Sequence, residues 1–226
     1  MTRNAFTLGD AVREFIRHLS PWMIGTALIV SVVARCAVGD WQLTDLLVPV
    51  VMLAVFPFFE WIIHVFVLHW RPRQFGPFTL DSLLARDHRL HHVDPRDIPL
   101  IFIPWRALLW ILPVAMTVAF LAFSRTGLGL TFLSVLTVLG LSYEWCHYLV
   151  HSDYKPKTRA YRAVWRNHRQ HHYKNEHYWF TVTTAGTADR VLRTCPDPAT
   201  VSASPTSKNL HAAMPARQWG RPGSPC

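Results

Sequence analysis

The chain has 226 residues, of which 50% are apolar, with a mean hydropathy of +0.14 and a formal net charge of +9. Long apolar runs at this composition exclude an ordinary soluble domain and point to an integral membrane protein. The charge does not call for a nucleic-acid partner, because the basic residues sit in segments flanking the apolar runs, where membrane topology accounts for them.

Residues 1–20 read as a short amphipathic segment, with Phe6, Leu8, Val12, Phe15, Ile16 and Leu19 on the apolar side and Arg3, Arg13 and Arg17 on the basic one. That pattern suits the headgroup layer. His18 reads as a solvated surface residue of this helix. There is no short apolar core followed by a small-residue cleavage site, so the first membrane segment is expected to serve as the targeting signal.

Four apolar runs follow, Trp22 to Val38, Leu46 to Trp70, Pro99 to Phe123 and Leu128 to Val150. Crossing a hydrocarbon core of about 30 Å takes about 20 helical residues. The last three runs qualify on length; the first is short, and its Arg35 is expected to snorkel. Pro57, Pro104 and Pro113 suggest kinks or an interfacial start. The basic segments precede the first run, separate the second from the third and follow the fourth, whereas residues 39–45 and 124–127 carry only Arg125. By the positive-inside rule both termini and all the histidine clusters are expected on the cytoplasmic side.

Those histidines follow one formula, written twice. The second run ends in His64 and His69 and the fourth in His147 and His151, and a His-x-x-His-His follows each, first His88, His91 and His92, then His168, His171 and His172. On an α-helix, residues three and four apart share a face, so each box and the His147–His151 pair can converge. The pair His64 and His69 is the exception: five steps turn an ideal helix by roughly 500°, leaving the rings about 140° apart. A π-bulge is expected there, or a His69 just past the helix end.

Neutral imidazole is the commonest metal ligand in proteins, and ten rings exceed what one tetrahedral zinc can use. Two metals are therefore expected. Bundles that hold di-iron through carboxylates pair Glu with Glu-x-x-His motifs; only Glu144 with His147 fits, so the ligands should be nitrogen. Glu60 and Glu144, inside apolar runs, are expected to accept hydrogen bonds from ligand rings. Asp87 and Asp94 either do the same or are solvated loop charges. His177 and His211 fall outside the repeats and read as surface residues.

Trp61, Trp70, Trp105, Trp110, Trp145, Trp165 and Trp179 read mostly as interfacial belt residues. Cys36, Cys146, Cys195 and Cys226 show no Cys-x-x-Cys spacing, so a disulfide framework is not expected. From Pro196 onward the chain is rich in Pro, Ser, Thr and Ala without apolar periodicity, the composition of a poorly ordered tail.

Taken together, His64-x4-His69, His88-x-x-His91-His92, His147-x3-His151 and His168-x-x-His171-His172 among four apolar spans resemble the fatty acid hydroxylase and sterol desaturase superfamily of membrane di-iron enzymes. The resemblance covers roughly residues 56–194. His92-Val93-Asp94-Pro95 leading to Phe102-Ile103-Pro104, and His172-Tyr173-Lys174-Asn175, look most like the fatty acid 2-hydroxylase branch. It departs in that the family often places Phe-Gly after the last box where this chain has Phe180-Thr181, and in Ala185-Gly186-Thr187 where a bulkier apolar segment is usual.

The resemblance implies an all-α integral membrane protein with about four transmembrane helices and a cytoplasmic histidine-rich helical cap. It divides the chain into an amphipathic segment (1–20), a membrane-embedded di-metal hydroxylase domain (21–194) and a poorly ordered tail (195–226). It further implies two iron ions, replaceable by zinc on purification, and O2-dependent hydroxylation of a fatty acyl or related lipid. Electrons would come from a separate donor such as cytochrome b5, ferredoxin or a reductase, since the chain has no haem, flavin or iron–sulfur motif. A desaturase or a sterol or carotenoid hydroxylase of the same superfamily is the alternative among enzymes. A non-enzymatic membrane metal-binding protein or an inactive relative is the alternative of another class.

Overall fold

In the computed structural model, which describes residues 6–211, the four apolar runs are helices and the last of them is the axis on which the others pack. Arg3, Cys226 and residues 212–226 of the expected tail lie outside the described residues. Helix α1 (Leu8–Phe15) leads into α2 (Leu19–Val38). Helix α3 (Leu47–Ile62) starts from a 3-10 turn at Leu43–Leu46 and continues through a π-helical turn at Ile63–Leu68. A small hairpin of β1 (Arg73–Phe75) and β2 (Phe78–Leu80) precedes α4 (Leu83–Val93) and the short α5 (Ile98–Ile101). Then come α6 (Trp105–Leu121), α7 (Thr126–His151), α8 (Arg159–Tyr173) and α9 (Thr187–Val191).

Four stretches, Leu19–Val38, Leu43–Leu68, Ile98–Leu121 and Thr126–His151, are long and apolar enough to cross a membrane. The first, short as an apolar run, reaches 20 residues by taking in Leu19, Ser20 and Pro21. Proline at its third position is tolerated because the first-turn N–H groups have no helical partner anyway.

Helix α7 holds α2, α3 and α6 at close range, and toward α6 a glycine is what permits it. A side chain on Gly129 would meet the Ala119 carbonyl oxygen at 2.2 Å, so α6 approaches α7 this closely only because Gly129 has none. Ala115, Ala119, Leu130 and Leu133 fill that contact. Toward α2, Ser134 donates to Ser31 at 3.1 Å, a polar contact of the kind that joins helices in lipid. The outward faces, with Ile29, Val33, Val50, Val51, Leu53, Val114 and Leu121, stay apolar and exposed.

Arg35 does not snorkel. It is 3% exposed, and its guanidinium donates to Asp45 at 2.7 Å, Asp40 at 3.0 Å and Thr131 at 2.9 Å while lying 3.6 Å from the Trp41 ring centroid. Arg125 pairs with the same two aspartates. Two cations and two anions thus close on one another at the end of the bundle away from the histidines, and this pairing replaces the water that Arg35 was expected to reach.

At the histidine end, α1 is fixed by a reciprocal cap in which Asp10 N–H donates to Thr7 Oγ1 at 3.2 Å and Thr7 N–H to the Asp10 carboxylate at 3.0 Å. Its Phe15 packs against Trp145 and Phe102 at 5.0 and 5.5 Å. His18 is covered where the chain turns into α2: it stacks on Phe102 at 4.2 Å and meets Glu14 at 3.4 Å, so it is not the solvated residue expected. Cys36, Cys146 and Cys195 are free thiols.

Candidate metal centre

Each histidine group is delivered by a different local device. The five-residue gap from His64 to His69 is absorbed by the π turn, whose His69 N–H donates to the His64 carbonyl at 3.0 Å. One wide turn therefore brings the two rings to 5.0 Å between centroids. Ser82 caps α4 by accepting from Ala85 N–H at 3.1 Å, and Thr158 caps α8 by accepting from Tyr161 N–H at 3.2 Å. The α7 pair needs no device: four residues apart on one helix, His147 and His151 stand 5.0 Å apart.

The ten rings sort into two sets of five. His64, His69, His88, His92 and His171 form one, and His91, His147, His151, His168 and His172 the other, with one ligand nitrogen from each residue lying within 4.8 Å of the rest of its set. Each set combines the spaced pair of one span, the outer two histidines of the box that follows it, and the middle histidine of the other box. Within the first, His69 Nε2 lies 3.2 Å from His171 Nε2, and His88 Nε2 3.2 Å from His92 Nε2. Within the second, His91 to His151 is 3.3 Å and His168 to His172 is 3.0 Å. Two nitrogens each about 2.1 Å from one ion, at bond angles between square and tetrahedral, are about 3.0–3.4 Å apart. The donor set and its spacing therefore fit a metal ion in each cluster. His92 and His172, stacked at 4.1 Å, form the shared wall.

Backbone carbonyls hold the first set in place. His64 Nδ1–H donates to the Phe180 carbonyl at 2.6 Å, His171 to Tyr178 at 2.8 Å and His92 to Ser207 at 2.9 Å. A ring committed at Nδ1 presents its Nε2 lone pair inward, the usual way a tautomer and an orientation are fixed around a metal. In the second set, Nδ1 of His91, His151, His168 and His172 has no protein partner among the described residues.

The loop that supplies two of these carbonyls is itself clamped. Trp179, buried and not a belt residue, adopts φ 58°, a left-handed conformation that costs a non-glycine residue about 1–2 kcal/mol. Asp189, fully buried, accepts from Phe180 N–H at 2.9 Å, Thr181 N–H at 3.0 Å, Thr181 Oγ1 at 2.5 Å and Thr194 Oγ1 at 2.8 Å. Thr181, the departure from Phe-Gly, is thus a donor to that clamp.

None of the four carboxylates expected beside the rings touches one. Glu60 accepts from Val182 N–H at 2.9 Å, Thr183 N–H at 2.8 Å and Thr183 Oγ1 at 2.9 Å, so it braces the carbonyl loop instead. Glu144 accepts from Ser20 Oγ and Ile103 N–H, both at 2.7 Å, tying the start of α2 to the break before α6. Unpaired loop N–H groups within a buried end have the stronger claim on a carboxylate. Asp87 lies near Arg86 at 3.6 Å, and Asp94 caps its own turn by accepting from Arg96 N–H at 3.1 Å. Reading side chains alone missed Asp189 and all three carbonyls; a carbonyl leaves no mark on residue identity.

The expected tail is not separate from the site up to residue 211. Ser204 N–H donates to the Lys174 carbonyl at 2.7 Å, Ser204 Oγ and Thr206 Oγ1 donate to Glu176, and Asn175 donates to the Ser202 carbonyl at 3.3 Å. Ser207 and Leu210 are buried under this strap. His211 is half-buried, not a surface residue: its ring hydrogen-bonds the His69 backbone, and burial, then Arg71 and Arg89, hold it down to about 4. His177 is exposed, as expected.

Electrostatics agrees with a ligand role. Burial first and neighbouring rings second keep His69, His88, His91, His168 and His172 far below the usual histidine range. The same holds for His92 and His171, although their bonds to Ser207 and Tyr178 pull the other way. All seven are neutral at pH 7, the form that binds metal.

Comparison with known proteins places this geometry. A solved structure described as full-length Scs7p, with only its hydroxylase domain visible, superposes with a TM-score of 0.64 over 82% of this chain and 70% of that one, at 21% identity. The likeness is one of fold. No curated protein sequence matches. The fatty acid hydroxylase model matches residues 49–194, the stretch that carries all ten clustered histidines, and the chain therefore belongs to the fatty acid hydroxylase family.

Proposed function

We propose that this protein is a membrane di-iron hydroxylase that inserts one oxygen atom of O2 into a C–H bond of a fatty acyl or related lipid. The observation that carries the reading is the sorting of ten histidines into two five-nitrogen sets with metal-ligand spacing. Iron held there supplies the oxygen-activating chemistry; nitrogen-only ligation distinguishes the site from carboxylate-bridged bundles. The chain's own part is to keep the rings neutral, aim them through the carbonyls of Tyr178, Phe180 and Ser207, and shield them from water. Family membership supports the lipid class of substrate, and the spans support a substrate delivered from the bilayer.

Electrons come from a separate donor, and an acidic one has a place to dock. Lys155, Lys157, Arg159, Arg162 and Arg166 form an exposed basic band around the start of α8, suited to electrostatic steering. The same residues argue for a cytoplasmic histidine end under the positive-inside rule.

The test is elemental analysis of purified protein beside its His91→Ala variant, followed by lipid product analysis with O2 and a reductant. Expected are about two irons per wild-type chain, less in the variant, and an O2-dependent hydroxylated lipid. Zinc-loaded protein is reconstituted with iron first. A desaturated product gives the reaction to the alternative in the superfamily, and iron-loaded protein without product marks an inactive relative.

A further inference from the structure

The hairpin between the second span and α4 has the wrong surface for water. Its register pairs Arg73 with Leu80, Gln74 with Thr79 and Phe75 with Phe78. Because strand side chains alternate, Arg73, Phe75, Phe78 and Leu80 share one face, and Gln74 and Thr79, joined by a hydrogen bond of 3.0 Å, share the other. On the first face Phe75 is 60% exposed, Phe78 75% and Leu80 54%. Two strands of three residues have no core of their own, and such a unit is marginal in water unless an apolar partner covers one side. Nothing among the described residues does.

The hairpin's position names the partner. It begins five residues after the second span ends at Leu68. The outward side of that span, with Phe59, Ile62 and Phe66 exposed, brings an apolar surface up to the hairpin's root. Arg73, 4.8 Å from the Trp70 ring, adds a cation beside the aromatic residues, the combination that settles at the headgroup level.

We propose that this hairpin is a membrane-docking element whose Phe75–Phe78–Leu80 face lies in the headgroup–acyl boundary of the bilayer that the helices span. The proposal rests on the membrane reading of the spans and not on the hydroxylase reading. It also bears on the metal centre, because Arg89 of α4 holds both roots of the hairpin, donating to the Trp70 carbonyl at 3.1 Å and to Asp81 at 2.6 Å. Arg89 follows His88 directly. Docking of the hairpin therefore sets the depth of the helix that feeds both histidine clusters.

The experiment places a photoreactive benzoylphenylalanine, one position at a time, at Phe78, Thr79 and Val51 of the full-length protein in phosphatidylcholine–phosphatidylglycerol nanodiscs, and reads adducts by mass. Expected is lipid adduct at position 78, severalfold above position 79, with position 51 as the span control. Adduct at 51 but not at 78, or equal adduct at 78 and 79, overturns the proposal. A crosslink from 78 to another part of the chain, or to a second copy, overturns it in favour of a protein cover. Absence of lipid adduct at 51 overturns the membrane reading on which the proposal depends.

Discussion

His91 and His171 hold the same middle place in their respective boxes, and each crosses to the other's cluster: His91 Nε2 lies 3.3 Å from His151 Nε2, and His171 Nε2 3.2 Å from His69 Nε2. The sequence repeat is thus a mutual exchange in space. Helices α4 and α8 each serve both clusters, so neither cluster is built from one half of the repeat alone.

Removing outer pairs should separate the clusters all the same. His88→Ala with His92→Ala strips the first set of two nitrogens, and His168→Ala with His172→Ala does so to the second. Each double variant is expected to retain about half the wild-type metal, since a site reduced from five rings to three loses affinity steeply. Elemental analysis of the two proteins decides it; complete loss in both would mean that the clusters fill only together.

The strap should matter to one cluster only. Truncation after Val201 removes the Ser207 carbonyl from His92, and outer-shell partners of this kind contribute roughly 10–100-fold to metal affinity. Chelator competition is expected to show one weakened ion and one unchanged. Glu176→Gln, which leaves the chain intact but weakens the contacts to Ser204 and Thr206, should move the same ion less.

Asp189→Ala should be severe. It leaves the buried N–H groups of Phe180 and Thr181 unpaired, at about 1–3 kcal/mol each. A loss of several degrees in Tm is expected, accompanied by weaker metal binding at the first cluster because the Phe180 carbonyl is no longer held toward His64. Asp189→Asn, which keeps acceptor capacity at one oxygen, should recover part of both.

Metal-free protein should lose stability steeply below about pH 6.5. The folded chain holds seven rings outside the spans well below that value, so on acidification the unfolded chain binds protons that the folded one refuses. The stability is fully present above the unfolded pKa and is lost progressively as the pH falls below it. Chemical denaturation across pH 5 to 7.5 checks the slope, and bound metal should raise the stability without steepening it, because the folded rings hold no protons for the metal to displace.

Much of this was legible in the residues, and the remainder was hidden for physical reasons. Three spans follow from apolar run length and the first only marginally, three- and four-residue spacing marks eight of the ten ligand candidates, and the five-residue gap between His64 and His69 called for a π turn or a His69 past the helix end, both of which the π turn over Ile63–Leu68 provides. Which ring joins which cluster depends on how α4 and α8 cross, and spacing within a helix carries no information about that. Glu60 and Glu144 stood out as carboxylates in apolar runs, yet they bond loop N–H groups, which every residue but proline possesses, and the hydroxyls of Thr183 and Ser20. The strap was unreadable for the converse reason. Serine, threonine and proline lack apolar periodicity, but their hydroxyls and carbonyls bond well enough to seat residues 202–211 on the site.

The π turn shows which demand prevailed. Its two histidines are one residue further apart than His147 and His151, and in a regular helix that extra residue would have swung His69 away from its neighbours. The backbone instead widened for one turn, exchanging its tighter hydrogen bonds for the bond from His69 to His64. Deleting Val67 would restore the four-residue interval of the His147–His151 pair. At this point a widened helical turn, not a regular one, is what sets the two rings side by side.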